Sequence, residues 1–164
     1  MFTGAPTAAR VNRPRRAALR LTLLASFLIA SCTLPRWPVD GPLTSAYGLR
    51  FRGWRPDIHE GVDLDVEEGT PVRAMTRGNV VHAGPLGAYG LTVILQHGRN
   101  VQTLYAHLSR VDVRRGEEVA HQQVIALSGQ SGNATGPHLH FEVRRWGRTE
   151  DPVPLLGAMP TRKR

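Results

Sequence analysis

Thr135-Gly136-Pro137-His138-Leu139-His140-Phe141-Glu142-Val143 is the stretch on which the fold turns. From Leu139 on, apolar residues alternate with His140 and Glu142, the period of two that a β-strand imposes on its two faces. Such a strand puts Leu139, Phe141 and Val143 into an apolar layer and lifts the imidazoles of His138 and His140 together from the other side. Thr135, Gly136 and Pro137 have the composition of the turn that leads into it. His-x-His is weak evidence of chemistry by itself, since seven histidines in 164 residues give about 0.3 such pairs by chance.

Working outward, β-like runs recur at 71–75, 79–83, 91–96, 101–108 and 124–128, and glycines punctuate the gaps between them. Gly 17 and Pro 12 are too many for long helices, and no segment sustains a helical period. The short connections favour antiparallel pairing. The expected fold class is therefore all-β, a compact antiparallel β-sheet. At 164 residues and 18.0 kDa the chain holds about one domain.

The net charge of +8 suggests a nucleic-acid partner until it is located along the chain. Arg10, Arg13, Arg15, Arg16 and Arg20 all precede the first acidic residue, Asp40. Without those five, sixteen basic residues face thirteen acidic ones, so no nucleic-acid partner is expected. The arginines lead into an apolar run, Leu21 to Ser31, too short to span a bilayer and suited to a signal peptide. It ends Ile29-Ala30-Ser31-Cys32, which resembles the bacterial lipobox, where the cysteine is acylated after cleavage. Cys32 is the single cysteine, so an internal disulfide is excluded. The expected organisation is a lipoprotein signal peptide at 1–31, a lipidated Cys32 and linker at 32–42, the folded domain at 43–156 and a tail at 157–164. Cys32 would anchor the chain to a membrane, and Thr33 after it favours the periplasmic face of the outer membrane.

His59 and Asp63 form His-x-x-x-Asp, equally common by chance. Together with one histidine of the 138/140 pair they would make two imidazoles and one carboxylate, the ligand type of catalytic zinc sites, which keep a fourth position for water. The remaining histidine of the pair and His107 are uncommitted imidazoles, a group whose unperturbed pKa near neutrality suits it to take a proton from a metal-bound water or to stabilise an oxyanion.

Five motifs in order carry a family resemblance: Ser45-Ala46-Tyr47-Gly48-Leu49-Arg50, His59-Glu60-Gly61-Val62-Asp63-Leu64, Gly69-Thr70-Pro71-Val72, Thr103-Leu104-Tyr105-Ala106-His107-Leu108 and Thr135 to Glu142. Over roughly residues 43–156 the chain resembles the lysostaphin-type zinc peptidases of family M23. The resemblance implies zinc (Zn2+) held by His59, Asp63 and His140, with His107 and His138 flanking a metal-bound water as the catalytic pair. It also implies a groove over the sheet and peptidoglycan peptide stems as substrate. With the outer-membrane sorting signal, the expected bond is D-alanyl to diaminopimelate. Gln122 and Ala126 stand where that family often has glycine, and an Asn that often follows Tyr89-Gly90 is missing. The rival reading is a non-catalytic lipoprotein that activates cell-wall amidases; some relatives have lost their ligands, whereas all five positions are filled here. His97 is expected to be structural, His82 and His121 solvated. Glu142 could orient a ligand imidazole or form a surface salt bridge.

Overall fold

The computed structural model describes residues 34–157. The expected signal peptide, Cys32 and the tail from residue 158 lie outside the described residues. In chain order the strands are β1 Leu43–Ser45, β2 Gly48–Arg52, β3 Arg55–His59, β4 Val62–Leu64, β5 Pro71–Arg73 and β6 Gly78–Pro85. They continue as β7 Leu91–His97, β8 Val101–Val111, β9 Glu118–Val119, β10 Val124–Ser128, β11 Leu139–Arg145 and β12 Arg148–Glu150, before the short helix α1 Pro152–Leu156. Among the described residues no helix is long and apolar enough to cross a membrane.

The main sheet runs β1-β4-β11-β8-β7-β6-β9, with β10 bridging β8 and β5, and β12 on the edge of β11. Every strand pairing is antiparallel, as expected. The hairpins β6–β7 and β7–β8 follow the chain, but β11 returns across more than sixty residues to lie between β4 and β8. That insertion sets His140 opposite Asp63 on one side and opposite Ala106 on the other.

The alternation in β11 is what the sequence required. Leu139 and Phe141 are fully buried and Val143 nearly so, packed in a core with Leu64, Val72, Leu95, Tyr105 and Ile125. Burying a side chain such as Phe141 contributes about 1.5–3 kcal/mol, and the strand cannot slip by one residue without turning its histidines into that layer.

Two features depart from expectation. The folded part begins before Leu43: Trp37 and Val39, in the segment expected to be a linker, lie in the core, and the Trp37 ring meets Phe141 edge-on at 6.5 Å between centroids. The second is a separate two-stranded sheet, β2–β3, which presents Leu49, Phe51, Trp54 and Ile58 to solvent. Gln122, in place of a usual glycine, adopts φ +60°, the left-handed region that favours glycine.

Candidate metal centre

Three elements converge on one point above the sheet. His59 ends β3, Asp63 is the centre of β4 and His140 is the second residue of β11. Their donor atoms form a small triangle: Asp63 Oδ1 is 3.1 Å from His59 Nε2 and 2.8 Å from His140 Nδ1, and the two nitrogens are 3.1 Å apart. Gly61, between β3 and β4, permits this approach. A Cβ there would come within 2.8 Å of Glu142 Cγ and 3.0 Å of His140 Cε1, and closer still to the Phe141 carbonyl.

The outer atoms of the same rings decide their tautomers. His59 Nδ1 donates to the Ala46 carbonyl at 2.8 Å, and His140 Nε2 donates to Glu142 Oε1 at 3.1 Å. A carbonyl and an ionised carboxylate only accept, so in each neutral imidazole the inward nitrogen is a bare lone pair. Two lone pairs and a carboxylate oxygen thus face one another with no proton between them. A cation resolves that excess, and zinc bonds of about 2.0–2.2 Å in tetrahedral geometry place donors about 3.3 Å apart, close to the spacing found. The donor set therefore fits zinc.

Burial works against the Asp63 carboxylate, but its hydrogen bonds and charge interactions with His140 and His59 outweigh it and hold its pKa far below the carboxylate range. Burial likewise works against protonated His140, and the hydrogen bonds to Asp63 and Glu142 outweigh it and raise its pKa. Arg50 adds positive charge on the outer side of Asp63, its Nη1 3.6 Å from Oδ2.

His107 and His138 stand beside the triangle, their ring centroids 4.7 Å apart. Each again has Nδ1 tied to a carbonyl at 2.8 Å, His107 to Ser131 and His138 to Gly136, which leaves both Nε2 atoms facing the groove. His138 Nε2 is 3.8 Å from Asp63 Oδ1. His107 owes its aim to a β-bulge: Val93 pairs with Tyr105 and Leu91 with Leu108, so β8 carries one residue more than β7. The bulge puts His107 at φ +58°, strained for a non-glycine residue. Burial lowers its pKa, only partly offset by the Ser131 carbonyl, so the ring is neutral at physiological pH. The groove has a volume of about 730 Å³ and is lined by all five of these residues together with Arg50, Tyr89 and Asn133.

The structure thus brings His59, Asp63, His140, His107 and His138 together. Cys32 lies outside the described residues. Sequence reasoning missed Arg50 and Tyr89 as groove residues, and Ser131 as the acceptor that orients His107. Glu142 makes both contacts the sequence left open, His140 Nε2 at 3.1 Å and a salt bridge to Arg144 Nε at 2.7 Å, but its own side chain is fully buried rather than on the surface. His82 and His121 are half-buried and hydrogen-bonded to the carbonyls of Gly84 and Met75, not solvated as expected.

The model of Peptidase family M23 matches residues 57–152, from the middle of β3 to the start of α1. The chain belongs to family M23. Curated relatives include the DD-carboxypeptidase/endopeptidase Mpg of Neisseria meningitidis serogroup B, 40% identical over 123 residues, which cover 73% of this chain and 27% of Mpg. The murein hydrolase activator EnvC of Escherichia coli is 39% identical over 124 residues, covering 74% of this chain and 28% of EnvC. The chain thus spans little more than a quarter of the length of either relative. Among solved structures, a zinc-containing peptidase from Vibrio cholerae superposes with a TM-score of 0.69 at 32% identity, covering 77% of this chain and 40% of that one. The chain is thus similar both to proteins named as enzymes and to one named as an activator.

Proposed function

We propose that this M23 protein is a zinc-dependent peptidoglycan endopeptidase that hydrolyses peptide cross-links, with D-alanyl to diaminopimelate as the bond. The observation that carries the reading is the triangle of acceptors at 2.8–3.1 Å with two further imidazoles aimed at the same groove. His59, Asp63 and His140 would hold the zinc, which when bound lowers the pKa of a coordinated water and polarises the scissile carbonyl.

The chain's own groups do the rest. Neutral His107 Nε2 or His138 Nε2 accepts the proton of the attacking water and returns one to the leaving amine. Because Nδ1–H of each ring is spent on a carbonyl, the other ring donates a hydrogen bond to the developing oxyanion only as the imidazolium, with a proton on Nε2 as well, a contribution of roughly 3 kcal/mol. The carbonyls of Ser131 and Gly136 keep both rings in the tautomer with Nδ1–H outward. The name of Mpg, a DD-carboxypeptidase/endopeptidase, supports DD-bond cleavage, and the zinc of the Vibrio cholerae peptidase structure supports the metal.

The test is digestion of purified peptidoglycan with and without a chelator, with the released muropeptides read by mass spectrometry. Chelator-sensitive cleavage at D-alanyl-diaminopimelate is the expected result, and an unchanged muropeptide profile would sink it. The likeness to EnvC favours a second reading, an activator of cell-wall amidases; that protein would leave the profile unchanged alone and alter it when an amidase is added. The signal peptide and acylated Cys32 complete the proposal, placing the domain at the periplasmic face of the outer membrane. Incorporation of labelled palmitate, lost in Cys32→Ala, tests the anchor.

A further inference from the structure

Glu142 takes no part in the proton transfers, yet it is the one fully buried carboxylate among the described residues. It follows His140 by two positions on β11 and shares its face. Oε1 accepts from His140 Nε2 at 3.1 Å and from the Tyr89 hydroxyl at 2.7 Å, and Oε2 accepts from Arg144 Nε at 2.7 Å. Three donors are what an ionised carboxylate withdrawn from water needs. The pairing with Arg144, two residues further along the same strand, would offset the charge of Glu142, but it does not explain the other two contacts. Tyr89 arrives from a different segment, the short 3-10 turn Gly87–Tyr89, and its ring lies against that of His140 at 5.7 Å between centroids. Its hydroxyl is also 3.1 Å from Glu60 Oε2, but it has one proton and stands closer to Glu142.

We propose that Glu142 is a positioning residue that sets how tightly the His59–Asp63–His140 centre holds its metal, with Tyr89 as the cover that keeps water from it. By accepting the Nε2 proton, Glu142 fixes the His140 tautomer whose Nδ1 lone pair points into the triangle. Its negative charge makes that lone pair more basic, and a carboxylate behind a ligating imidazole commonly changes metal affinity by about 10–100-fold. The inference rests on the zinc reading above.

The experiment measures zinc affinity of the full-length chain by competition with a chromophoric chelator, and the visible absorption of the cobalt-loaded form. Wild type is expected to bind one zinc and His59→Ala none; a wild type that binds no zinc would overturn the metal reading and this inference with it. Glu142→Gln keeps the volume and removes the charge, so its affinity should fall about 10–100-fold with a shifted cobalt spectrum. Tyr89→Phe should weaken zinc by a smaller factor. A folded Glu142→Gln with wild-type affinity and cobalt spectrum overturns the positioning role while leaving the metal centre standing. Should Glu142→Gln fail to fold, wild-type affinity in Tyr89→Phe overturns it instead.

Discussion

Among the described residues the half-buried His97 and the buried cluster of His59, Asp63 and His140 make two contrasting hydrogen-bond environments, and only the second is short of protons. Around His97, Nδ1 donates to the Arg77 carbonyl at 2.8 Å, and Nε2 meets Thr103 Oγ1 at 2.8 Å. Thr103 Oγ1 lies 3.0 Å from the Tyr105 hydroxyl, which accepts the Met75 amide at 2.9 Å. Donors and acceptors there run in series and each finds its complement. At His59, Asp63 and His140 the outer atoms are satisfied in the same way, but the inner three are all acceptors. A structural histidine closes a hydrogen-bond chain, whereas a ligand histidine closes only its outer half. The balance of protons, rather than burial or histidine count, separates the two regions.

Substitutions can break or sharpen that contrast. The largest effect is expected at the triangle: His140→Ala should abolish zinc-dependent hydrolysis and remove the zinc-induced rise in thermal stability. In wild type that rise amounts to about 2.7 kcal/mol at a hundredfold excess over Kd. Differential scanning calorimetry with and without zinc reads it, and an equal rise in the variant would erase the distinction. Next comes His107→Ala, where hydrolysis should drop about 10²–10⁴-fold while metal analysis still finds one zinc per chain.

The closed network should respond in stability alone. His97→Leu leaves the Thr103 hydroxyl and the Arg77 carbonyl without their partner and should cost about 1–3 kcal/mol in urea unfolding, with the zinc-induced rise unchanged. The smallest effect is its pH dependence. Burial lowers the His97 pKa below 6.5 despite the Arg77 carbonyl, so the unfolded chain takes up its proton first as pH falls. The stability from neutral His97 is therefore complete above pH 6.5 and is lost as pH falls from 6.5 through the folded pKa. Urea unfolding of wild type and His97→Gln with chelator, at pH 5 and 7.5, should show the gap between them narrowing in acid.

How much of this was legible in the sequence follows from what is local. Alternation placed β11 and its buried Leu139 and Phe141, and the runs at β6, β7, β8 and β10 were marked by β-rich composition between glycines. β1 and β4 are three residues each, too short to show a period, and β2–β3 exposes the apolar residues that would otherwise mark a core face. Trp37 and Val39 read as a spacer because what they pack against is distant in the chain, Phe141 standing about a hundred residues after Trp37. The left-handed backbone at His107 left no mark at all, since it arises from a mismatch in length between β7 and β8.

The sequence by itself determined the strand periodicity, the parity that lifts His138 and His140 to one side, and the set of residue types able to hold a metal. Side-chain alternation is a property of the local backbone, so a short stretch suffices to specify it. Tertiary structure decided which nitrogen of each ring is bare, because the carbonyls of Ala46, Ser131 and Gly136 and the carboxylate of Glu142 fix the tautomers. It also decided that β11 lies between β4 and β8, which turns residues far apart along the chain into a triangle 3 Å on a side. Proton placement and convergence depend on where distant backbone atoms stop, and only the folded sheet specifies that.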